Sequence, residues 1–136
     1  MEPESMIVMI IPQVVKKVDA HIDEMTAQRY KDQPLAQDWA RVAKLAEEVG
    51  EAVSEMILWT GQNPRKTEHP GARVKLLAEL ADTAMASIYA IQHFTKDVFE
   101  TQAVMVAAQK RHLARVIEQE GGDGDNGTIR LPGAVA

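Results

Sequence analysis

Two segments constrain this chain more than any others: Lys44-Leu-Ala-Glu-Glu-Val-Gly-Glu51 and Leu77-Ala-Glu-Leu-Ala-Asp82. Each reads as part of a long helix, and each carries two carboxylates three residues apart. These are Glu48 and Glu51 in the first, Glu79 and Asp82 in the second. Residues at i and i+3 share a helical face, so two packed helices can aim all four at one volume. Four carboxylates in one place repel one another unless a cation sits among them. An all-oxygen set suits a hard divalent ion such as Mg²⁺, with Mn²⁺ as a substitute.

With 136 residues, the chain is expected to form one helical domain over 1–119, followed by a flexible tail over 120–136. It is 46% hydrophobic but only 4% aromatic, so its core is aliphatic, which favours closely packed helices. The absence of cysteine excludes disulfides, a thiolate nucleophile and Cys-ligated zinc. A net charge of −5 argues against binding a nucleic-acid polymer, whose phosphates demand a basic surface. No apolar run is long enough to span a membrane, and the short run Met6–Ile11 lacks the basic start of a signal peptide. A cytoplasmic protein is the expectation.

Taken in order, the pattern predicts four helices. Val14, Val15, Val18, Ile22 and Met25 recur at helical spacing after Pro12, placing helix 1 at about 12–29. Residues 1–11 are ambiguous between a strand and a lead into that helix. Helix 2 is expected at about 36–59, with Trp39, Val42, Ala46, Val49, Val53 and Ile57 as its apolar stripe. Gly50 inside it suggests close approach of a neighbour. Residues 60–71 carry every turn signal and a basic character from Arg65, Lys66 and His69. Helix 3 is expected at about 72–94 and helix 4 at about 96–119. Helix 4 has Thr95 as its N-cap and Phe99, Val106, Leu113, Val116 and Ile117 inward.

Helices 2 and 3 differ in what they say about the carboxylates. On helix 2, Lys44, Glu48, Glu51 and Glu55 lie nearly opposite the apolar stripe, which a solvated charged face explains equally well. On helix 3, Glu79 and Asp82 are the only charged residues between Leu76 and Ile91, and apolar residues surround them. That pattern describes a buried helix, in which unpaired carboxylates are costly. Lys75 reaches Glu79, but no basic residue lies within helical reach of Asp82.

Several chemistries are absent. There is no phosphate-binding glycine loop, no dinucleotide-binding turn, and no Glu-x-x-His pair of the di-iron bundles. A lone helical histidine such as His93 reads as structural or exposed. The acidic, glycine-rich stretch after residue 120 fails the calcium-loop register.

The double motif, Glu47-Glu48-x-x-Glu51, a 27-residue gap, and Glu79-x-x-Asp82, resembles the signature of the MazG-like all-α nucleoside triphosphate pyrophosphohydrolases. The similarity covers about residues 36–118. It implies a four-helix-type bundle that assembles as a homodimer or homotetramer. It also implies Mg²⁺-dependent hydrolysis of (d)NTPs to monophosphate and pyrophosphate. Carried onto this chain, Glu48, Glu51, Glu79 and Asp82 would hold the metal, Glu47 and Glu48 would be the catalytic carboxylates, and Glu47 would either support the metal ligands from behind or orient the attacking water. Lys44 and Lys110 would contact phosphates, and Trp39 stands where family members place a base-stacking aromatic. Trp39 on the apolar stripe is equally a core residue, and Lys110 at the edge of helix 4's apolar face equally a snorkelling lysine. Phosphoribosyl-ATP pyrophosphohydrolase and dUTPase-type enzymes share the scheme. Asp82-Thr-Ala-Met-Ala-Ser87 departs from the motif of the former. A non-catalytic helical oligomer or nucleotide-sensing module is the alternative from another class.

Overall fold

The computed structural model describes residues 10–63, 65 and 71–120. Over those residues the chain is all-helical: α1 (Pro12–Arg29), α2 (Pro34–Trp59), α3 (Ala72–Thr95) and α4 (Val98–Gln119). Proline stands in the first turn of both α1 and α2, where its missing N–H would have no intrahelical partner anyway. Most of the 60–71 connection, including Lys66 and His69, and the segments 1–9 and 121–136 lie outside the described residues.

The α3–α4 corner differs from expectation. Lys96 takes the left-handed conformation (φ 58°) and closes α3 by donating its N–H to Gln92 O at 2.9 Å. Asp97 then caps α4, its Oδ1 accepting from the N–H groups of Phe99 at 2.7 Å and Glu100 at 3.0 Å. The expected cap, Thr95, is the last residue of α3; its hydroxyl instead lies 2.8 Å from that of the fully buried Thr101. A carboxylate at the N-cap satisfies two orphan donors and meets the positive end of the helix dipole, which a threonine there would do less well.

α3 is the hub. It packs along α2 over the most extensive interface, touches α1 and α4, and no contact joins α2 to α4 among the described residues. Because Asp38 near the start of α2 meets His93 near the end of α3, the two run antiparallel. The apolar core is small: Ile10, Val15, Ile88 and Val98, with Met85, Tyr89 and Met105 against it.

The faces of α2 are the reverse of the expected ones. Arg41, Glu48 and Ala52 are buried and Leu45 and Glu55 half-buried, an inward stripe of mixed polarity. Of the predicted apolar stripe only Ile57 is covered; Trp39, Val42, Ala46, Val49 and Val53 are exposed, Trp39 at 67%. Pairing accounts for part of this: Arg41 meets Asp19 and Asp23 on α1, Asp38 one turn earlier meets His93 on α3, and Glu48 meets Lys44 one turn away.

The same correction applies to α3 and α4. Leu77, Leu80 and Ala81 are exposed, so only the second half of α3 is the buried helix expected, and Asp82 is exposed. In α4 the inward positions are Val98 and Thr101 with Met105 half-buried, while Phe99, Val106, Leu113, Val116 and Ile117 face outward. From Gln109 to Gln119 every residue of α4 is exposed. Gly50 has open space where a Cβ would stand, so no neighbour among the described residues explains it.

Candidate functional site

Packing α2 against α3 brings three of the four predicted ligands together. Glu48, Glu51 and Glu79 each offer a carboxylate oxygen, and these oxygens lie within 4.8 Å of one another. Glu48 is buried, Glu79 half-buried and Glu51 exposed, so the group opens from the helix interface to solvent. Asp82 stands one turn along α3 from Glu79 and lines the adjoining cleft with Glu48, outside that 4.8 Å group.

The charge state of the cluster is strained. Burial first, then repulsion from Glu51 and Asp82, a hydrogen bond with Glu51, and the charge of Glu48 push the Glu79 carboxyl above its ordinary value. Glu55, one turn beyond Glu51 on the same face, has a buried Oε2 with no hydrogen-bond partner among the described residues. Repelled, under-partnered carboxylates in an all-oxygen set fit a divalent cation of the Mg²⁺ type.

One positive charge is already at hand. Lys44 Nζ lies 2.9 Å from Glu47 Oε1 and 2.8 Å from Glu48 Oε1. Hydrogen bonds donated to Glu47 and Glu48 hold its pKa well above the usual lysine range, so it stays charged. Lys44 is thus the internal counter-ion of the first two glutamates, and Glu47 lies exposed at the cleft edge.

The cleft has a volume of about 610 Å³ and runs between α1, α2 and α3. Its carboxylate end is formed by Glu47, Glu48 and Asp82. The rest is lined by apolar side chains, among them Ile22, Met25 and Met85, with Thr26, Arg29, Tyr30, Arg41, Lys44 and Tyr89 as polar groups. Burial and the charge of Asp82 raise the Tyr89 phenol, so it remains a neutral hydrogen-bonding group. The other predicted substrate residues are elsewhere: neither Trp39 nor Lys110 lines the cleft, and both are exposed.

The residues missed by sequence reasoning form a charged network at the far end of the cleft. Arg41 Nη2 donates to Asp23 Oδ1 at 2.7 Å and to Asp19 O at 3.0 Å, and lies 2.8 Å from Asp19 Oδ1. That last contact is an ion pair outside hydrogen-bonding geometry, since Asp19 Oδ1 has no hydrogen-bond partner. His93, also buried, has Nε2 2.7 Å from Asp38 Oδ1; its Nδ1 lies 3.1 Å from Asp23 Oδ1 and 3.2 Å from Lys96 Nζ. Burial alone would raise the Asp23 carboxyl. The hydrogen bond from Arg41, the charges of Lys96 and Arg41, and the His93 hydrogen bond together lower it.

Asp19, Asp23 and His93 also converge within 4.8 Å, but the guanidinium and ammonium already neutralise them. A further cation there would be repelled. Two signals could have flagged the cleft residues. Arg41 lies seven residues before Glu48, and Tyr89 seven after Asp82, each two turns away on the same face. Comparison with family models, curated proteins and solved structures returned no significant match.

Proposed function

We propose that this chain is a Mg²⁺-dependent nucleoside triphosphate pyrophosphohydrolase of the MazG-like kind. The observation that carries the reading is the convergence of Glu48, Glu51 and Glu79, of which Glu48 also lines, with Asp82, a cleft of about 610 Å³, while burial and the neighbouring carboxylates push Glu79 above its ordinary value. Glu48, Glu51 and Glu79, with Asp82 beside them, would hold the metal. When bound, Mg²⁺ supplies charge neutralisation for the triphosphate and a more acidic water.

The chain's own residues supply position and proton management. Glu47, exposed at the cleft edge and 2.9 Å from Lys44, would accept a proton from a water attacking the α-phosphorus. The same ammonium, 2.8 Å from Glu48, would supply a donor to phosphate oxygens beside the carboxylates. Attack forms a new α-phosphorus–oxygen bond and breaks the α–β anhydride, releasing pyrophosphate. The apolar cleft wall excludes water from the nucleoside end, and fixed charges act more strongly there.

Assembly as a homodimer or homotetramer belongs to the same proposal. The outward stripe of Trp39, Val42, Val49 and Val53 on α2, with Leu77 and Leu80 on α3, supports it, since such faces mark association surfaces. No helix of the described residues is long and apolar enough to cross a membrane.

The test is pyrophosphate release from a panel of NTPs and dNTPs, with Mg²⁺ and with EDTA. Metal-dependent release of pyrophosphate, not orthophosphate, is expected from at least one member. If the folded protein releases none from any of them, the hydrolase reading fails and a nucleotide-sensing module takes its place.

A further inference from the structure

Arg41 is only 4% exposed, yet its guanidinium is only partly engaged. Every contact to Asp19 and Asp23 is made through Nη2. Nε and Nη1 are buried and have no hydrogen-bond partner among the described residues. Buried donors are almost always paired, and one left unpaired in a native structure calls for an explanation. Here an explanation is adjacent, because Arg41 lines the cleft.

Position along the helix sharpens this. Arg41 precedes Glu48 by two turns, about 10 Å along the axis. That separation is comparable to the span from the α-phosphate of a nucleotide to the far edge of its base. The intervening wall, with Ile22, Met25, Met85 and Tyr89, is apolar and aromatic enough to hold a planar ring. The two aspartates on Nη2 fix the guanidinium in place before any ligand arrives, which is the preorganisation a reading group needs.

A guanidinium donates and never accepts. We propose that Arg41 is the base-reading residue of the cleft, donating through its unengaged nitrogens to an exocyclic carbonyl at the far edge of the base. Nucleotides of guanine, hypoxanthine, uracil and thymine present an oxygen there. Adenine and cytosine present an amino group, which sets donor against donor. The inference rests on the proposed function for the presence of a nucleotide. It goes beyond that reading in assigning keto-base over amino-base selectivity to one side chain.

Two isosteric pairs test it on the wild-type chain: ITP against ATP, and UTP against CTP, each compared by kcat/KM for pyrophosphate release. Binding of IMP and AMP by calorimetry gives a readout independent of turnover. The keto member of each pair is expected to be favoured about 10- to 100-fold, the range for one hydrogen bond to a charged donor. Arg41→Lys keeps a cation beside Asp19 and Asp23 but lacks the second and third nitrogens, and should erase most of that preference. If Arg41→Lys does not fold, the wild-type pairs decide. Pyrophosphate release with equal or greater turnover of the amino members overturns the inference and leaves the hydrolase standing. Tighter IMP than AMP binding without any hydrolysis sinks the hydrolase and keeps the assignment. Absence of both removes the two together.

Discussion

Replacing Arg41 by methionine tests whether the network at the end of the cleft holds the fold together. Removing one partner of a buried ion pair costs about 3–5 kcal/mol, because a charge is left without compensation. The structure places this case at the low end. Asp23 is 38% exposed on its side chain and keeps Lys96 at 3.6 Å and His93 at 3.1 Å, so it rehydrates at a cost of about 1 kcal/mol or less. Asp19, whose side chain is 11% exposed, loses the one cation the structure gives it. The two unpaired donors of the guanidinium disappear as well, which returns part of the loss. The expected net cost is about 3 kcal/mol, a drop in urea midpoint of about 1 to 2 M. Adding Asp19→Leu should recover all but about 1 kcal/mol, since two apolar side chains substitute well for a buried pair. Equilibrium urea unfolding followed by circular dichroism measures both variants. An Arg41→Met protein within about 1 kcal/mol of wild type, or a double variant no better than the single, would refute the reasoning.

Lys44→Gln should tighten Mg²⁺ binding while slowing triphosphate turnover. The side chain is 48% exposed, so the gain is limited to about 1 kcal/mol, or about fivefold in affinity, read from Tm against Mg²⁺ concentration. Stability without metal should follow pH in the sense set by Glu79. Its raised pKa contributes stability that is fully present below pH 4.5 and is lost as pH rises through the folded value. Thermal melting in EDTA from pH 4.5 to 7 should therefore show a decline that Glu79→Gln flattens; parallel curves would contradict the assignment. Asp23, lowered in the fold, acts the other way and only below pH 3.8. Glu51→Gln should abolish pyrophosphate release with the helical dichroism intact, and retained activity would remove Glu51 from the site.

Helix positions were legible because the punctuation is local. Proline at the starts of α1 and α2, turn residues after Thr60, and unbroken apolar spacing locate four helices to within two residues at each end. The carboxylate pairs were legible for the same reason, since i, i+3 spacing is a property of one helix. Which face turns inward was not. On α2 the apolar stripe points one way and the packing goes the other, because the polar stripe finds partners on α1 and α3 that hydrophobic periodicity does not register. The bonds of Arg41 to Asp23 and of His93 to Asp23 and Asp38 span 18, 70 and 55 residues, distances at which spacing carries no information. His93, read as structural or exposed, is buried in this network, and its partners were hidden from the sequence.

The outer part of α4 has a consequence for how the chain breathes. Its residues from Lys110 to Gln119 are exposed, so among the described residues backbone hydrogen bonds are what hold about three turns in shape. Helices shorter than roughly 12–15 residues are marginal in water on that basis. Amide exchange along this one helix should therefore run as a gradient, slowest beside the anchored Thr101 and faster toward Gln119. A helix that exchanges from one end like this is a gauge: any surface that settles on Leu113, Val116 and Ile117 would flatten the gradient. Hydrogen exchange would then register that contact through the backbone, whatever the contacting surface is.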